Sequence, residues 1–282
     1  MKFKAAIAQI DCRVGATEKN LQHHFEYIDR AQKEGAQLVV FPELSLTGYT
    51  LRDLAWDVAL DPAHSDIVQR LLEKSKSISL AIGFVESGTN HGIFNSAMFL
   101  EDGMIKHIHR KIYPPTYGMF EEGRYFGAGN NVTAFDSKLG RFGMLVCEDL
   151  WHVSLPYLLA LDGAEAILCL TASPTRISGE SKQLDNQIVN HEHHRTYARL
   201  LNTYLLFSNR VGFEDGVNFW GGSNITSPGG EMLATANLLE EDLIAAEVDS
   251  YEVQRARRFS RHFLDERPEL VANTLQQLLQ RH

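Results

Sequence analysis

Short apolar runs alternate along the chain with longer segments in which apolar residues recur at every third or fourth position. The apolar runs in the first part of the chain are typical of buried strands, and they are KAAIAQI, QLVVF and LAIGFVE. Two segments between them, residues 16–36 and 65–78, place their apolar residues on one helix face, and Gly35 ends the first. The pattern therefore predicts an α/β chain in which strands and helices alternate.

The middle of the chain predicts two hairpins separated by a long irregular stretch. Residues 95–111 form the first, with the turn at Asp102-Gly103, and the second closes on the run RFGMLVCE. The second half then resumes the alternation, with helices over 154–163 and 185–202 and strands over 166–172, 204–212 and 243–249. No Pro/Ser-rich linker interrupts this pattern, so residues 1–282 are predicted to form one domain in which helices cover sheets.

Residues 250–282 form a C-terminal extension that is basic, then acidic, and amphipathic. Two interpretations of this extension stay open. It forms a helix whose charged face is solvated, or it serves as an arm that docks on a second subunit.

Composition and charge narrow the class of protein. Hydrophobic residues make up 44% and charged residues 22%, as in ordinary globular proteins, and the formal net charge is -9. An acidic protein repels phosphates overall, so nucleic acids and anionic membranes are not predicted as partners. No apolar stretch approaches the ~20 residues that span a bilayer. The N-terminal run is too short for an export signal and already carries Gln9 and Asp11, which predicts a strand of the mature protein.

The three cysteines, Cys12, Cys147 and Cys169, are scattered and form no CxxC pair. Such a set is not a disulfide framework, and it predicts a reducing, cytoplasmic location. Cys169 lies inside an apolar run and is expected to fill the core. Cys147 differs, because the run FGMLV ends on it and two acids follow at once.

A nucleophilic thiol needs a base or cation to become a thiolate near neutral pH, and a donor where the oxyanion forms. Three predicted strand ends offer such groups: Glu43 follows LVVFP, Lys111 follows MIKHIHR, and Cys147 follows RFGMLV. In a sheet whose functional face lies at the carboxyl ends of its strands, these side chains converge. Taken singly, each has an ordinary interpretation as a loop glutamate, a surface lysine or a core cysteine.

Three segments in this order, FPELSLTGY, HRKIYPPTYGMFEEGRYFGAGN and GMLVCEDLW, resemble the nitrilase superfamily of carbon–nitrogen hydrolases. The resemblance covers essentially the whole chain and is closest to the glutaminase domain of glutamine-dependent NAD synthetases. It implies a four-layer α-β-β-α sandwich, with two stacked sheets between helices. It also implies a homodimer or larger homo-oligomer that uses the C-terminal extension around Arg255, Arg258 and Phe259.

The resemblance also implies roles for four residues. Glu43, in FPEL, corresponds to the general base, Lys111, in RKIY, to the lysine that stabilises the tetrahedral intermediate, and Cys147, in VCED, to the nucleophile. Glu122 corresponds to a second glutamate that orients substrate and supports the lysine, and its spacing to RYF selects it over Glu121. The implied reaction cleaves a small amide through a cysteine thioester and releases ammonia, with no metal or organic cofactor.

Candidate substrate-binding residues follow the strand ends near Cys147. Tyr49, Tyr117 and Trp151 are expected to form pocket walls, and Arg176 is placed to bind a substrate carboxylate. The backbone N–H of Glu148, just past the nucleophile, is the expected second donor to the oxyanion.

The histidines do not predict a metal site. His107 and His109 lie on the strand before Lys111, where one is expected to face inward and the other outward. The histidines of NHEHHRTYARL are expected at the solvated start of a helix, with a role at the pocket rim or at an interface as the alternative. No carboxylate or cysteine clearly completes a set of metal ligands there.

Several functions share this set of residues and remain alternatives to an amidase. A nitrile or N-carbamoyl hydrolase uses it, as does a glutaminase subunit that supplies ammonia to a separate partner. An enzyme that transfers the acyl group to an amine and a catalytically silent binding protein are further alternatives. No ATP-using synthetase domain follows the glutaminase-like part, so the expectation is a free-standing hydrolase or a subunit, not an NAD synthetase.

Overall fold

The computed structural model describes residues 1–175 and 185–281. Within them, most strands belong to two six-stranded sheets. The first sheet has the order β14-β1-β2-β3-β4-β5 and contains β1 (Lys2–Gln9), β2 (Leu38–Val40), β3 (Ser79–Ser87), β4 (Ile93–Glu101), β5 (Met104–Arg110) and β14 (Asp242–Asp249). The second has the order β13-β12-β9-β8-β7-β6 and contains β6 (Phe135–Ser137), β7 (Gly140–Val146), β8 (Ala166–Thr171), β9 (Tyr204–Asn209), β12 (Asn224–Thr226) and β13 (Met232–Thr235). A separate ribbon pairs β10 (Val211–Glu214) with β11 (Val217–Trp220).

Helices lie outside the two sheets. Those described are α1 (Thr17–Lys33), α2 (Asp66–Ser75), α3 (Glu122–Tyr125), α4 (Ser154–Leu161), α5 (Asp185–Leu201), α6 (Ser250–Phe259) and α7 (Pro268–Leu279). In the part of the chain that the structure covers, none of them combines the length and the apolar character needed to cross a bilayer.

The alternation of side chains along each strand produces the layers. On β1, Ala5 and Ile7 join the core between the two sheets, whereas Ala6 and Ala8 join the core under α1 and α2. Strands buried on both faces are apolar throughout, which is why their sequences show runs rather than alternation. A third core packs α4 and α5 against the outer face of the second sheet. The predicted four-layer α-β-β-α sandwich is confirmed.

One predicted strand, residues 204–212, is shorter than expected. β9 ends at Asn209, and Arg210 follows with its side chain fully buried. The guanidinium is paired with the carboxylates of Asp11 and Glu214. A buried charge requires such partners, so the chain leaves the sheet and turns into the β10–β11 ribbon, which carries Glu214.

Two expectations about histidines are wrong. His107 and His109 do not face opposite ways, because residues two apart on a strand share a face. His107 stacks on Phe135 of the second sheet at 4.5 Å between ring centroids, and His109 is buried beside Asp149. His194 is not at a solvated helix start, since it lies within α5 and is fully buried against Phe207.

The C-terminal extension contains α6 and α7. On α6, Ser250 and Val253 are buried, whereas Phe259 is 82% exposed. α7 has no buried residue, and it exposes the leucines Leu270, Leu275, Leu278 and Leu279.

Candidate active site

Glu43 lies at the carboxyl end of β2, where the chain turns through Pro42. The turn packs so closely on β3 that a Cβ at Gly83 would lie 2.4 Å from both the Pro42 oxygen and the Leu44 nitrogen. Only glycine permits this approach. The Glu43 side chain is buried as a result, and its Oε2 accepts a 2.8 Å hydrogen bond from the backbone N–H of Ala172, beyond the end of β8.

Lys111 follows β5, and its ammonium lies between two carboxylates. The Nζ atom is 2.7 Å from Oε1 of Glu43 and 2.7 Å from Oε1 of Glu122. The lysine is 1% exposed. Burial lowers the pKa of Lys111, but the charges of Glu122 and Glu43 outweigh it, so the pKa is raised well above the ordinary lysine value. The ammonium therefore stays charged throughout the physiological range.

Glu122, the first residue of α3, is buried, whereas its neighbour Glu121 is exposed. Its carboxylate accepts hydrogen bonds from Lys111 and from the hydroxyl of Tyr49. Burial raises the pKa of Glu122, the Lys111 charge opposes that shift, and the net pKa lies above the ordinary glutamate value. Burial and the Glu122 charge raise the pKa of Tyr49 well above its usual range, so its hydroxyl remains a donor.

Asn95 completes this cluster and was not predicted. From the start of β4 its Nδ2 donates to Oε1 of Glu43 at 2.7 Å and to Oε2 of Glu122 at 3.2 Å. A polar side chain at an otherwise apolar strand position is the sequence signal that could have indicated it. We refer to Glu43, Lys111, Glu122 and Asn95 as the carboxylate–ammonium cluster.

Cys147 comes from the second sheet, directly after β7. Its φ is +49°, in the left-handed region that residues with a Cβ rarely adopt, and it begins a helical turn that ends at Trp151. Burial raises the pKa of the thiol well above its ordinary value, and the Glu43 charge raises it further. Lys111 and the Ala172 N–H oppose the shift only in part. The sulfur is therefore a thiol near neutral pH, beside a carboxylate that could accept its proton.

A small cavity opens at Cys147. Of the residues that the structure describes, its other walls are Leu150, Trp151, Thr171, Ser173, Asn190, His193 and Phe207. The Trp151 ring packs edge-on against His193 at 4.8 Å between centroids. Trp151 was predicted as a pocket wall, and a place at the pocket rim was only the alternative for His193. Asn190 was not predicted, because sequence alone did not show which face of α5 lies towards the cavity.

The other predicted substrate-binding residues are distributed differently. Tyr49 lies in the site against Glu122. The Tyr117 hydroxyl donates to the Glu148 carboxylate at 2.9 Å, and neither side chain lines the Cys147 cavity. Arg176 falls outside the described residues, so its expected role stays a prediction. Across residues 1–175 and 185–281, no group of three His, Cys, Asp or Glu side chains is placed to hold a metal ion.

The arrangement thus combines a thiol that borders a cavity with a carboxylate that could accept its proton and an ammonium that stays charged. Residues 4–258 match the carbon–nitrogen hydrolase family model. The chain therefore belongs to the carbon–nitrogen hydrolase family, and the predicted enzyme class, a carbon–nitrogen hydrolase of the nitrilase superfamily, is confirmed.

Three similar proteins illustrate how this family varies. A glutamine-dependent NAD(+) synthetase of Acinetobacter baylyi is 32% identical over 247 residues, which cover 88% of this chain and 44% of the synthetase. The chain thus spans less than half of that protein. A citrullinase of Francisella tularensis is 29% identical over 280 residues, with 95% of this chain and 96% of the citrullinase covered. The crystal structure of Nit3 from Saccharomyces cerevisiae is 26% identical, covers 91% of this chain and 93% of its own, and superposes with a TM-score of 0.79.

Proposed function

We propose that the protein hydrolyses a non-peptide carbon–nitrogen bond of a small amide, with Cys147 as nucleophile and Glu43 as general base. The observation that carries this proposal is the Lys111 ammonium, which bridges Glu43 and Glu122 at 2.7 Å each beside the Cys147 thiol. A thiol with a raised pKa requires a base at the moment of attack, and Glu43 supplies one.

In the first half of the reaction, Glu43 takes the thiol proton while the sulfur bonds to the amide carbon. The carbonyl oxygen gains the negative charge, which Lys111 and the backbone N–H of Glu148 stabilise. The C–N bond then breaks, Glu43 returns the proton to the leaving nitrogen, ammonia departs, and a thioester remains on Cys147. Glu122, held by Tyr49 and Asn95, keeps the ammonium in place.

In the second half, water replaces ammonia. Glu43 accepts a proton from the water, whose oxygen bonds to the thioester carbon, and the C–S bond breaks. The acid product leaves as the thiol regains its proton. One carboxylate serves both halves because it acts as base and then as acid in each.

Two substrate classes are proposed, in this order. The first is a small amide that carries a carboxylate, such as glutamine, consistent with the similarity to the NAD synthetases. The second is a ureido or N-carbamoyl compound, favoured by the citrullinase, which matches over nearly the full length of both chains. Trp151 and, for the carboxylate, Arg176 are the proposed specificity contacts, with Tyr117 and Glu148 at the rim.

The test is ammonia release from a panel of amides, ureido compounds and nitriles, glutamine and citrulline included. Wild type is compared with Cys147→Ala and with Cys169→Ala, which removes a buried thiol of the core. We expect release by wild type and Cys169→Ala only. Equal release by Cys147→Ala would exclude the cysteine mechanism, and a folded wild type that is inactive on every compound would favour the silent or partner-dependent alternatives.

We further propose a single cytoplasmic domain over residues 1–282 that self-associates through its C-terminal extension. The exposed leucines of α7 and the 82% exposed Phe259 support this proposal. Replacing Leu275 and Leu279 with glutamate in the full chain is expected to yield monomers by light scattering. An unchanged mass would remove α7 from the interface.

A further inference from the structure

One buried carboxylate, that of Asp149, connects the segments that carry Cys147 and Lys111. Asp149 is 0% exposed and lies in the helical turn that follows β7. Its Oδ1 accepts hydrogen bonds of 3.0 Å from the backbone N–H groups of Ile112 and Tyr113, the two residues after Lys111. This oxygen therefore fixes the backbone directly beyond the lysine.

The other oxygen of Asp149 binds two different partners. Oδ2 accepts from the backbone N–H of Val146 at 3.1 Å and from Nε2 of His109 at 2.8 Å. The carboxylate oxygen accepts in this pair, so Nε2 of His109 is the donor. His109 lies on β5 of the first sheet, and Val146 ends β7 of the second. A single side chain thus joins both sheets at the site.

The bond to Val146 bears on the backbone of Cys147. It closes the turn across Cys147, the residue with φ of +49°. Backbone conformations of this kind persist only where surrounding contacts hold them in place. This hydrogen bond is therefore one of the contacts that hold the turn at Cys147.

We propose that Asp149 is a positioning residue that holds the Cys147 turn in its left-handed conformation and sets the place of the thiol relative to Lys111 and Glu43, while His109 orients its carboxylate. This inference rests on the proposed roles of Cys147, Lys111 and Glu43. Asp149 acts through the nucleophile, because its hydrogen bonds go to protein groups on both oxygens.

The first test is Asp149→Asn, which places an NH₂ group against donors that now face an oxygen. We expect kcat to fall about 100-fold, the scale of an ångström-sized misplacement, with KM changed less than about threefold. The pH profile of Cys147 modification by methyl methanethiosulfonate, a small neutral thiol reagent, is expected to shift as well. Cys12 and Cys169 do not interfere, since both are buried in the cores, whereas Cys147 is partly exposed.

The matched control is Glu101→Gln. Glu101 is also a buried carboxylate, and it accepts from Ser79, Ser137 and the backbone N–H of Lys138. We expect this variant to lose stability in urea with kcat and the thiol profile unchanged. If Asp149→Asn behaves in the same way, with only its stability lowered, the proposal is wrong.

A pair of variants at His109 tests the positioning role of Asp149 even if Asp149→Asn does not fold. His109→Gln keeps an N–H donor for Asp149, whereas His109→Leu removes it. We expect His109→Leu to lower kcat about tenfold, the scale of one hydrogen bond to a charged group, and His109→Gln to restore most of it. Wild-type kcat and thiol profile in His109→Leu would overturn the proposal. The thiol profile needs no substrate, so it tests Asp149 even if the proposed amide hydrolysis is wrong.

Discussion

Side-chain hydrogen bonds fix the carboxylate–ammonium cluster, which the first sheet and α3 carry, whereas Cys147, which follows the second sheet, is fixed through its backbone. In the cluster, Lys111 and Asn95 each bind both Glu43 and Glu122. At Cys147, the conspicuous feature is the left-handed backbone and the turn that Asp149 closes. The acid–base groups are thus preorganised by mutual pairing, while the sulfur keeps one side open to the cavity.

The difference follows from what each group must do. Charged side chains can be buried only with partners, so the residues of the cluster form hydrogen bonds and ion pairs with one another before substrate binds. A nucleophile must reach the substrate, and side-chain partners would occupy the direction from which the substrate approaches. When the backbone conformation of Cys147 sets the position of the thiol, the side from which substrate approaches stays free of other side chains.

Glu43→Gln is expected to have the largest effect, because it removes the proposed base and keeps the shape. We expect kcat to fall by about 10²–10⁴-fold, the range for general base catalysis. Reaction of Cys147 with methyl methanethiosulfonate should change in the opposite direction. The Glu43 charge raises the thiol pKa, so its removal lowers that pKa and increases the thiolate fraction at a given pH. Slower thiol modification together with slower turnover would instead indicate a displaced Cys147.

Lys111→Met tests whether the Lys111 ammonium stabilises the two buried carboxylates of the cluster. It leaves Glu43 and Glu122 buried without a cation, which costs about 3–5 kcal/mol in the free energy of unfolding. Burial already raises the pKa of Glu122 in the wild type, and loss of the ammonium raises it further. A carboxyl whose folded pKa lies above its unfolded value favours folding as the pH falls. The deficit in urea should therefore be largest near pH 8 and narrow towards about pH 5. A deficit independent of pH would contradict the pairing.

The smallest expected effect concerns the strained backbone at Cys147. Glycine adopts positive φ without the penalty that a Cβ imposes, so Cys147→Gly should be more stable than Cys147→Ala by about 1 kcal/mol. Cys169 is the control, since it lies within β8 and its φ is not positive. There the ordinary order, with alanine more stable than glycine, is expected. The same order at both positions in urea denaturation would argue against stored strain at Cys147.

Much of the fold could be predicted because the apolar runs of the buried strands are continuous and alternate with segments of helical periodicity. The meeting of Glu43 and Lys111 could also be anticipated, since β2 and β5 run in the same direction in one sheet, whereas Cys147 reaches them from the second, stacked sheet. Their catalytic roles remain predictions that the substitutions above test.

The parts that could not be predicted depend on contacts between distant segments. Asn95 and Asp149 look like ordinary polar residues in the sequence, and only burial against Glu43 and His109 gives them significance. Arg210 was placed inside a strand because its partners, Asp11 and Glu214, become evident only in three dimensions. Side chains of α5 that face the cavity, such as His193, depend on the rotation of a helix about its axis.

The division of the site between two sheets affects how the protein loses activity. Glu43 and Lys111 belong to one sheet and Cys147 to the other, and the core between those sheets fixes their spacing. A small displacement of one sheet relative to the other would leave every helix and strand intact while separating the Cys147 sulfur from the Glu43 carboxylate. The turnover rate therefore depends on the relative position of the two sheets. On heating, enzyme activity should be lost at a lower temperature than the far-ultraviolet circular dichroism signal of the helices and strands.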